Sequence, residues 1–215
     1  MSWFVREYQP SVIFDVGANK GDYISMCRNS GFWGHIYGFE PNPKTFRTLE
    51  ALSDDRSHFF NIGLSDQEGS FELFYKKGDD ESTHATLYKA SIENNSNITS
   101  AVIELKTLDK FIDEHQIEYI DLLKIDTEGN ELKVLKGAKK SLEAKKIKAI
   151  QFEITGINVV SRVFFKDFFD LLSPQYRLYR LLPNSFLPIR KYDEALFLEL
   201  FAYQNIIAIQ KEHIK

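Results

Sequence analysis

Apolar runs alternate along the chain with segments whose apolar residues repeat at helical spacing. The runs predict strands at Val12–Val16, His35–Phe39, Ser57–Asn61, Tyr119–Ile125 and Ile147–Ile154. Helical spacing predicts helices at Asp22–Asn29, Pro43–Leu52, Thr107–His115, Asn130–Ala144 and Ser161–Leu172. Regular alternation of this kind is typical of an α/β fold built on a mostly parallel sheet, with helices on both faces.

The alternation breaks in the middle of the chain and again near its end. Ser70–Lys76 and Ala101–Lys106 predict a small antiparallel β insertion, and the polar segment Lys77–Ser100 between them is typical of a functional or mobile loop. Tyr176–Leu181 and Asn205–Gln210 predict two late strands, joined by a segment too long for a hairpin turn. No repeat or linker divides the chain, so we expect one domain over residues 1–215.

The same spacing predicts which helical side chains are buried. In the segment from Asn130 to Ala144, the buried stripe is predicted to contain Leu132, Leu135, Ala138 and Leu142. In Ser161–Leu172, the inward residues are predicted to be Val163, Phe164, Phe168, Leu171 and Leu172. The helix Thr107–His115 is predicted to be capped by Thr107 and to expose Asp109 and Asp113.

Composition narrows the classes of function. The 215 residues are 43% hydrophobic and carry a net charge of −4, which suits a globular domain and disfavours a nucleic-acid substrate. The single cysteine, Cys27, excludes an intrachain disulfide and is expected to be a small buried hydrophobe. No apolar run approaches the roughly eighteen residues of a membrane span. The N-terminus does not resemble a signal peptide, so we expect a cytoplasmic protein.

The turn after the first predicted strand carries Gly17, Asn19 and Gly21 in a G-x-N-x-G pattern. Its glycines let the backbone approach a ligand. A dinucleotide fold uses G-x-G-x-x-G and places the pyrophosphate at a helix N-terminus. With Asn19 in the turn, a ligand with an amino-acid tail fits better, its carboxylate at the helix amides and its ammonium at Asp15. S-Adenosylmethionine has that tail, an adenosine and no phosphate.

An acid follows the second predicted strand. Glu40 lies at about the spacing expected for a carboxylate that bridges the two hydroxyls of a ribose. Pro41 and Pro43 stiffen this turn, and Asn42 is a candidate helix cap. The glycine turn and Glu40 together predict a binding site for an adenosine-containing cofactor.

A third cluster follows the strand Tyr119–Ile125. If this strand lies beside the first, Lys124, Asp126 and Glu128 point at the reactive end of the cofactor, because ligands bind beyond the carboxyl ends of parallel strands. Methylation of a hydroxyl needs a base, for which Asp126 is the first candidate, followed by Glu128 and Glu153.

Other interpretations of these acids stay open. Glu128 and Glu131 also suit the first turn of the next helix. Glu153 also suits a structural hydrogen bond, an acceptor hydroxyl or a metal ion. No histidine pair has metal-ligand spacing, so no metal site is predicted, and His84 is the histidine most worth testing.

Five motifs in order resemble the FkbM family of S-adenosylmethionine-dependent methyltransferases. They lie at Phe14–Gly21, Phe39–Pro43, Asn61–Asp66, Thr107–Asp109 and Leu123–Ala138. The resemblance implies a class I methyltransferase fold: a Rossmann-like, seven-stranded sheet with one antiparallel strand near the C-terminus. It also implies O-methylation, commonly of sugars in surface polysaccharides, glycolipids or natural products.

By position, the resemblance assigns cofactor contacts to Asp15, Gly17, Asn19, Gly21, Tyr23, Glu40, Pro41, Asn42, Gly63 and Leu64. Lys124, Asp126 and Glu128 would face the acceptor. The segments 77–100 and 182–203 would shape its pocket, and Arg190, Lys191 and Tyr192 would suit the phosphate of a nucleotide sugar. Many relatives have a helix upstream that covers the cofactor, whereas about ten residues precede the first strand here, so the long loop or a partner subunit is expected to cover it.

The leading hypothesis is an O-methyltransferase acting on a sugar hydroxyl of a nucleotide sugar or of a capsule or lipopolysaccharide precursor, with a homo-oligomer compatible with the sequence. Alternatives are a natural-product or other small-molecule O-methyltransferase, or a non-catalytic subunit that only binds the cofactor. The intact acidic cluster at 124–131 argues against a non-catalytic subunit. A nicotinamide-dependent oxidoreductase is a third hypothesis, and Asn19 in place of a second glycine argues against it.

Overall fold

A central β-sheet organises the computed structural model, which describes residues 2–78, 84–92, 97–182, 185–192 and 199–213. Its strands, together with those of a second small sheet, are β1 (Val12–Val16), β2 (His35–Phe39), β3 (Ser57–Phe60), β4 (Gly63–Leu64), β5 (Gly69–Lys76), β6 (Ile98–Lys106), β7 (Ile120–Ile125), β8 (Ile147–Ile154), β9 (Tyr176–Leu182), β10 (Ser185–Ile189) and β11 (Gln204–Gln210). The predicted strands are therefore confirmed, with bounds that differ by at most three residues.

The central sheet has the strand order β10-β9-β11-β8-β7-β1-β2-β3. Strands β1, β2, β3, β7 and β8 run parallel, and β11 lies antiparallel between β8 and β9. Strand β10 pairs antiparallel with β9 at the edge, which adds one strand to the seven expected. The mostly parallel sheet with an antiparallel β11 confirms the class I methyltransferase fold.

Helices cover both faces of this sheet. They are α1 (Ser2–Tyr8), α2 (Asp22–Asn29), α3 (Pro43–Glu50), α4 (Leu108–Glu114), α5 (Glu131–Lys136), α6 (Lys139–Glu143), α7 (Ile157–Ser161) and α8 (Phe165–Leu172). Successive residues of β1 point to opposite faces, so Ile13 packs with α1, α2 and α3 while Phe14 packs with α4, α5 and α8. Both side chains are fully buried. A strand buried on both faces explains why the β1 sequence is apolar at nearly every position.

The predicted antiparallel addition forms the second sheet, in which β6 lies between β4 and β5. Strand β5 pairs antiparallel with β6 along its whole length, and the short β4 joins β6 in parallel. The inner side chains Leu73, Ile103 and Leu105 form a small core of their own. This sheet therefore gives the insertion a fixed apolar surface next to the central sheet.

The prediction of one continuous helix at 130–144 is wrong, because the segment divides into α5 and α6 at Gly137. A Cβ at position 137 would lie 2.0 Å from the backbone oxygen of Ser65, so the helix passes the chain too closely for a side chain. Asp109 is half-buried rather than exposed, and its carboxylate accepts hydrogen bonds from the amides of Lys140 (2.8 Å) and Ser141 (2.9 Å) at the start of α6. The predicted buried stripe along these two helices is confirmed.

The helix predicted at 161–172 also divides, because Arg162 adopts a left-handed conformation with φ of 55°. Helix α8 begins after Phe164, so its buried residues are Phe165, Phe168 and Leu172. Phe164 and Leu171 were predicted to face inward, but 51% and 36% of their surfaces are exposed. The break explains Phe164, which now precedes the first residue of the helix, whereas Leu171 lies inside α8 beside the buried Leu172.

Two elements were not predicted in the terminal regions. Helix α1 precedes the first strand, and its Phe4 and Val5 pack into the core beside Cys27 of α2, which is buried as expected. Strand β10 lies within the segment predicted only as a connection after β9. Within the described ranges, no helix is both long enough and apolar enough to cross a membrane.

Candidate active site

A cavity of about 1010 Å³ lies at the carboxyl ends of β1, β2, β7 and β8, next to the small sheet. Ligands of open α/β sheets bind at this edge. Its wall includes eleven of the residues selected from the sequence: Gly17, Asn19, Tyr23, Glu40, Pro41, Gly63, Leu64, Lys124, Asp126, Glu128 and Glu153. The fold therefore brings most of the cofactor candidates and the acceptor candidates to a single cavity, with Asp15, Gly21 and Asn42 outside its wall.

The turn after β1 is shaped by a close approach to the end of β7. Gly17 has φ of +83°, and a Cβ there would lie 1.8 Å from the backbone oxygen of Asp126, so glycine is required. Asn19 also has a positive φ, and its backbone amide donates a hydrogen bond of 3.0 Å to the carboxylate of Glu40. Gly21 lies outside the cavity wall, where a Cβ would meet the side chain of Leu52 at 2.5 Å. Its role is to let the turn pack against α3.

Glu40 is held at the wall by backbone amides from both sides. One carboxylate oxygen accepts from the Asn19 amide, and the other accepts from the Asn42 amide at 2.8 Å. Burial raises the pKa of Glu40 to about 7, although these two amides favour the charged form. Asn42 lies outside the wall and caps α3, as predicted, by accepting from the Lys44 amide at 3.0 Å.

Lys124 connects two acids at the ends of β1 and β7. Its ammonium lies 3.1 Å from Oδ1 of Asp15 and 3.4 Å from Oδ2 of Asp126, with the Tyr23 ring 5.0 Å away. Burial lowers the pKa of Lys124, but the two carboxylates outweigh it, so the net shift is upward. Asp15 is fully buried and is not part of the cavity wall. Its carboxylate contacts the Lys124 ammonium and does not line the space open to a ligand.

Glu128 lies in the tight loop that follows β7, with φ of +53°. Its carboxylate lies 3.1 Å from Nδ1 of His84, and burial raises its pKa. Glu131 fixes this loop, because its Oε1 accepts hydrogen bonds from the backbone amides of Thr127 (2.9 Å) and Gly129 (3.1 Å). Glu131 is buried outside the wall, so it supports the loop, whereas Glu128 and His84 face the cavity.

Glu153 lies at the end of β8 on the same wall as Asp126. Burial, together with the negative charge of Asp126, raises the pKa of Glu153 to about 7. The same wall contains Gln151, Arg180 and Asn205, which sequence reasoning missed, and Tyr203, which ends the segment 182–203 expected to shape the acceptor pocket. Polar residues at the start of the last predicted strand could have indicated this wall, because an antiparallel strand begins at the edge of the sheet where its parallel neighbours end.

The basic trio predicted for a phosphate does not reach this cavity. None of Arg190, Lys191 and Tyr192 is part of its wall. Tyr192 donates to the carboxylate of Glu199 at 2.7 Å, and the Lys166 ammonium lies 5.2 Å from its ring. Arg180 of β9 supplies a cation at the wall instead.

The small sheet supplies an apolar side to the cavity. Leu73, Ile103 and Leu105 line it next to Gly63 and Leu64. A Cβ at position 63 would lie 2.5 Å from the Leu105 side chain, so β4 packs closely against its neighbour β6 within this sheet. The cavity thus combines an apolar side, the buried acid Glu40 and a carboxylate-rich end. Among the residues that the structure describes, no group of three His, Cys, Asp or Glu side chains is arranged to hold a metal ion.

Comparison with protein families gives a match to the family described as "Methyltransferase FkbM domain" over residues 15–181. The hexuronic acid methyltransferase AglP of Haloferax volcanii is 29% identical over 139 residues, which cover 63% of this chain and 53% of that protein. The 2-O-methyltransferase NoeI of Sinorhizobium fredii is 28% identical over 143 residues, covering 61% and 58%. The chain spans a little more than half the length of these relatives.

Solved structures with a similar arrangement include a fibrillarin/Nop5p complex, with a TM-score of 0.49 and 13% identity, covering 93% of this chain and 72% of that one. The plantazolicin methyltransferase BpumL, in complex with SAH, has a TM-score of 0.47 and 8% identity, covering 98% and 80%. Identities this low carry no information about the substrate.

Proposed function

Because this chain belongs to the FkbM family of S-adenosylmethionine-dependent methyltransferases, we propose that it methylates a hydroxyl group of a sugar. The observation that carries the proposal is the shared cavity, in which Glu40 lies on one side and the carboxylates of Asp126 and Glu153 lie on the other. A hydroxyl acceptor needs a base near the transferred methyl group, and carboxylates supply it. The printed names of AglP and NoeI, a hexuronic acid methyltransferase and a 2-O-methyltransferase, support the choice of a sugar.

The wall residues fit S-adenosylmethionine. Glu40 would accept hydrogen bonds from the ribose hydroxyls, since backbone amides fix both of its oxygens and the residue lines the cavity. Gly63 and Leu64 would lie against the adenine, beside the apolar side chains of the small sheet. Gly17, Asn19 and Tyr23 would surround the methionine part. When bound, the cofactor supplies a methyl group on a positively charged sulfur, and the acidic end of the cavity stabilises that charge.

The acceptor side is polar in a way that suits a sugar. Glu128, Glu153, Gln151 and Asn205 present hydrogen-bonding groups from three different segments, and a polyhydroxy ligand can use all of them. Arg180 on the same wall would pair with a carboxylate or phosphate of an acidic sugar or nucleotide sugar. Lys124 would act indirectly, by holding Asp126 in position through their ion pair.

Calorimetry with S-adenosylhomocysteine and with NADH tests the cofactor assignment. The wild-type protein is expected to bind the homocysteine analogue, and Glu40→Ala is expected to lose that binding. Glu50→Ala is the matched control, because Glu50 is an exposed acid on α3 away from the cavity. Binding of NADH in preference, or equal binding by the Glu40 variant, would contradict the proposal.

An acceptor panel tests the substrate class. It contains free hexuronic acids, methyl glycosides, UDP-glucuronic acid and, as the competing class, phenolic natural products, each read by mass spectrometry for a methylated product. Methylation of a panel sugar supports the proposal, whereas methylation of the phenols alone would favour a natural-product enzyme. Cofactor binding with no methylated product in either class would favour a non-catalytic subunit.

We also propose that the chain folds as one domain and works in the cytoplasm, where S-adenosylmethionine and nucleotide sugars are made. The net charge of −4 supports a small-molecule acceptor over a nucleic acid. Size-exclusion chromatography with light scattering would show whether it forms a homo-oligomer.

A further inference from the structure

A chain of four polar side chains ends at Glu153. Gln151 Nε2 donates to Oδ1 of Asn205 at 3.1 Å, and Asn205 Nδ2 donates to the Tyr203 hydroxyl oxygen at 3.0 Å. The Tyr203 hydroxyl in turn shares a hydrogen bond with the carboxylate of Glu153. All four side chains are part of the cavity wall.

The donors and acceptors fix the direction of these hydrogen bonds. Asn205 gives its amide hydrogen to the Tyr203 oxygen, so the hydroxyl hydrogen of Tyr203 is the one that points at Glu153. Asn205 and Glu153 are also direct partners across the β11–β8 ladder, which sets their spacing through the backbone. The carboxylate is therefore oriented by a donor that is itself held in place.

We infer that Glu153 is the catalytic base of the methyl transfer and that Tyr203, held by Asn205 and Gln151, is a positioning residue for its carboxylate. This inference rests on the proposed function. The acceptor hydroxyl gives its proton to Glu153 as its oxygen bonds to the methyl carbon, and the electron pair of the breaking carbon–sulfur bond stays on sulfur. Glu153 then returns its proton to water.

The surrounding charges favour Glu153 over Asp126, the base expected from the sequence. Asp126 lies 3.4 Å from the Lys124 ammonium, and 41% of its side chain is exposed, so its carboxylate is already engaged in an ion pair. Glu153 instead feels the negative charges of Asp126 and Glu128 in the loop after β7 and of Glu131 at the start of α5, and it shares a hydrogen bond with Tyr203, which directly precedes β11.

Two cations, Lys124 and Arg180, also line this cavity, and Lys124 is engaged by Asp15 and Asp126. Burial and the neighbouring negative charges raise the pKa of Glu153 to about 7. A base is most effective when its pKa is near the working pH, and Glu153 meets that condition.

Substituting Tyr203 separates positioning from packing. Three quarters of its surface is exposed, so Tyr203→Phe removes a hydroxyl without disturbing the core. A donor to a carboxylate favours the charged form, so its removal should raise the pKa of Glu153. The acid limb of the pH–rate profile should therefore move to higher pH, which a purely structural role for Tyr203 would not produce.

The first test needs no acceptor. Carboxyl-carbon NMR of glutamate-labelled protein, saturated with S-adenosylhomocysteine, follows the titration of Glu153, whose signal is assigned by its loss in Glu153→Gln. We expect titration near pH 7 in the wild type and at higher pH in Tyr203→Phe. Tyr119→Phe is the matched control, because Tyr119 directly precedes β7, away from the cavity, and should leave the titration unchanged. Titration at the ordinary glutamate value of about 4.3, or an unchanged pKa in Tyr203→Phe, would overturn the inference.

The second test uses UDP-glucuronic acid and methyl glucuronides as acceptors. Glu153→Gln should lower kcat by about 100-fold or more while leaving the affinity for S-adenosylhomocysteine unchanged. Asp126→Asn should have the smaller effect. A Glu153 variant with wild-type kcat would refute the base assignment while leaving the methyltransferase intact. Failure of the wild type to methylate any sugar would count against the proposed function instead, and the NMR titration would still decide the placement of Glu153.

Discussion

Lys124→Met removes the positive charge that neutralises Asp15 in the interior. Asp15 is fully buried, and Lys124 is the cation beside it, with 3.1 Å between the ammonium and Oδ1. Methionine keeps the length and apolar character of the lysine stem, so the substitution mainly deletes the charge. The variant then buries a carboxylate without its partner.

The magnitude follows from the burial. Breaking a buried ion pair by removing one partner costs about 3–5 kcal/mol, because the other charge stays buried and uncompensated. For a chain of this size, that loss corresponds to a fall in Tm of about 6–20 °C. Urea denaturation at pH 7, followed by circular dichroism, measures the change in the free energy of unfolding. Lys139→Met is the matched control, since Lys139 is 75% exposed in a 4.0 Å pair with Glu143, and should cost less than about 1 kcal/mol.

The loss of stability in Lys124→Met should depend on pH. Burial raises the pKa of Asp15 even beside Lys124, and removing Lys124 takes away the charge that opposes this shift, so the pKa should rise further and the folded variant should hold a proton that the unfolded chain releases. The stability deficit should therefore be largest above the raised folded pKa and disappear as the pH falls below the unfolded value near about 3.9. A stability deficit below about 1 kcal/mol at pH 7 would refute the reasoning. So would a double variant, Lys124→Met with Asp15→Asn, whose stability deficit is no smaller than that of Lys124→Met alone.

Three further predictions concern the glycine turn, a helix cap and the ribose acid. Gly17→Ala should lower Tm more than Gly78→Ala in thermal scans and should weaken S-adenosylhomocysteine binding, because both glycines have positive φ but only position 17 lacks space for a Cβ. Asp109→Ala should cost about 1 kcal/mol in urea through loss of the α6 cap, whereas Asp113→Ala, on the exposed side of α4, should change little. Affinity for S-adenosylhomocysteine, measured by calorimetry, should fall by up to roughly tenfold per pH unit below the pKa of Glu40, about 7, and Glu40→Gln should flatten that dependence.

The sequence was sufficient wherever the determining pattern is local. The strands β1 and β2, the helix between them and the glycine turn all follow from apolar runs and turn chemistry within about thirty residues. A βαβ unit closes in one way, so Glu40 had to come close to the turn, and its carboxylate does accept from the Asn19 amide. The family, and with it the cofactor, could be recognised from five such local motifs in order along the chain.

Helix boundaries were harder, because distant contacts decide them. The pattern from 130 to 144 is continuous, yet the helix divides where Gly137 passes the backbone of Ser65, more than seventy residues earlier in the chain. The break at Arg162 likewise turned Phe164 outward. Apolar spacing predicts which residues are buried within a helix, but it does not locate a break imposed by another segment.

Only the tertiary structure decided what the charged residues of the site contact. Asp15 and Lys124 are more than a hundred residues apart, and the parallel pairing of β1 with β7 places them side by side, so Asp15 became the buried partner of an ion pair. Tyr203 and Asn205 reach Glu153 because β11 enters the sheet antiparallel beside β8. Apolar periodicity determined the elements because burial acts on each segment separately. Strand pairing across the chain determined the site because it depends on which segments meet, and no local pattern records that.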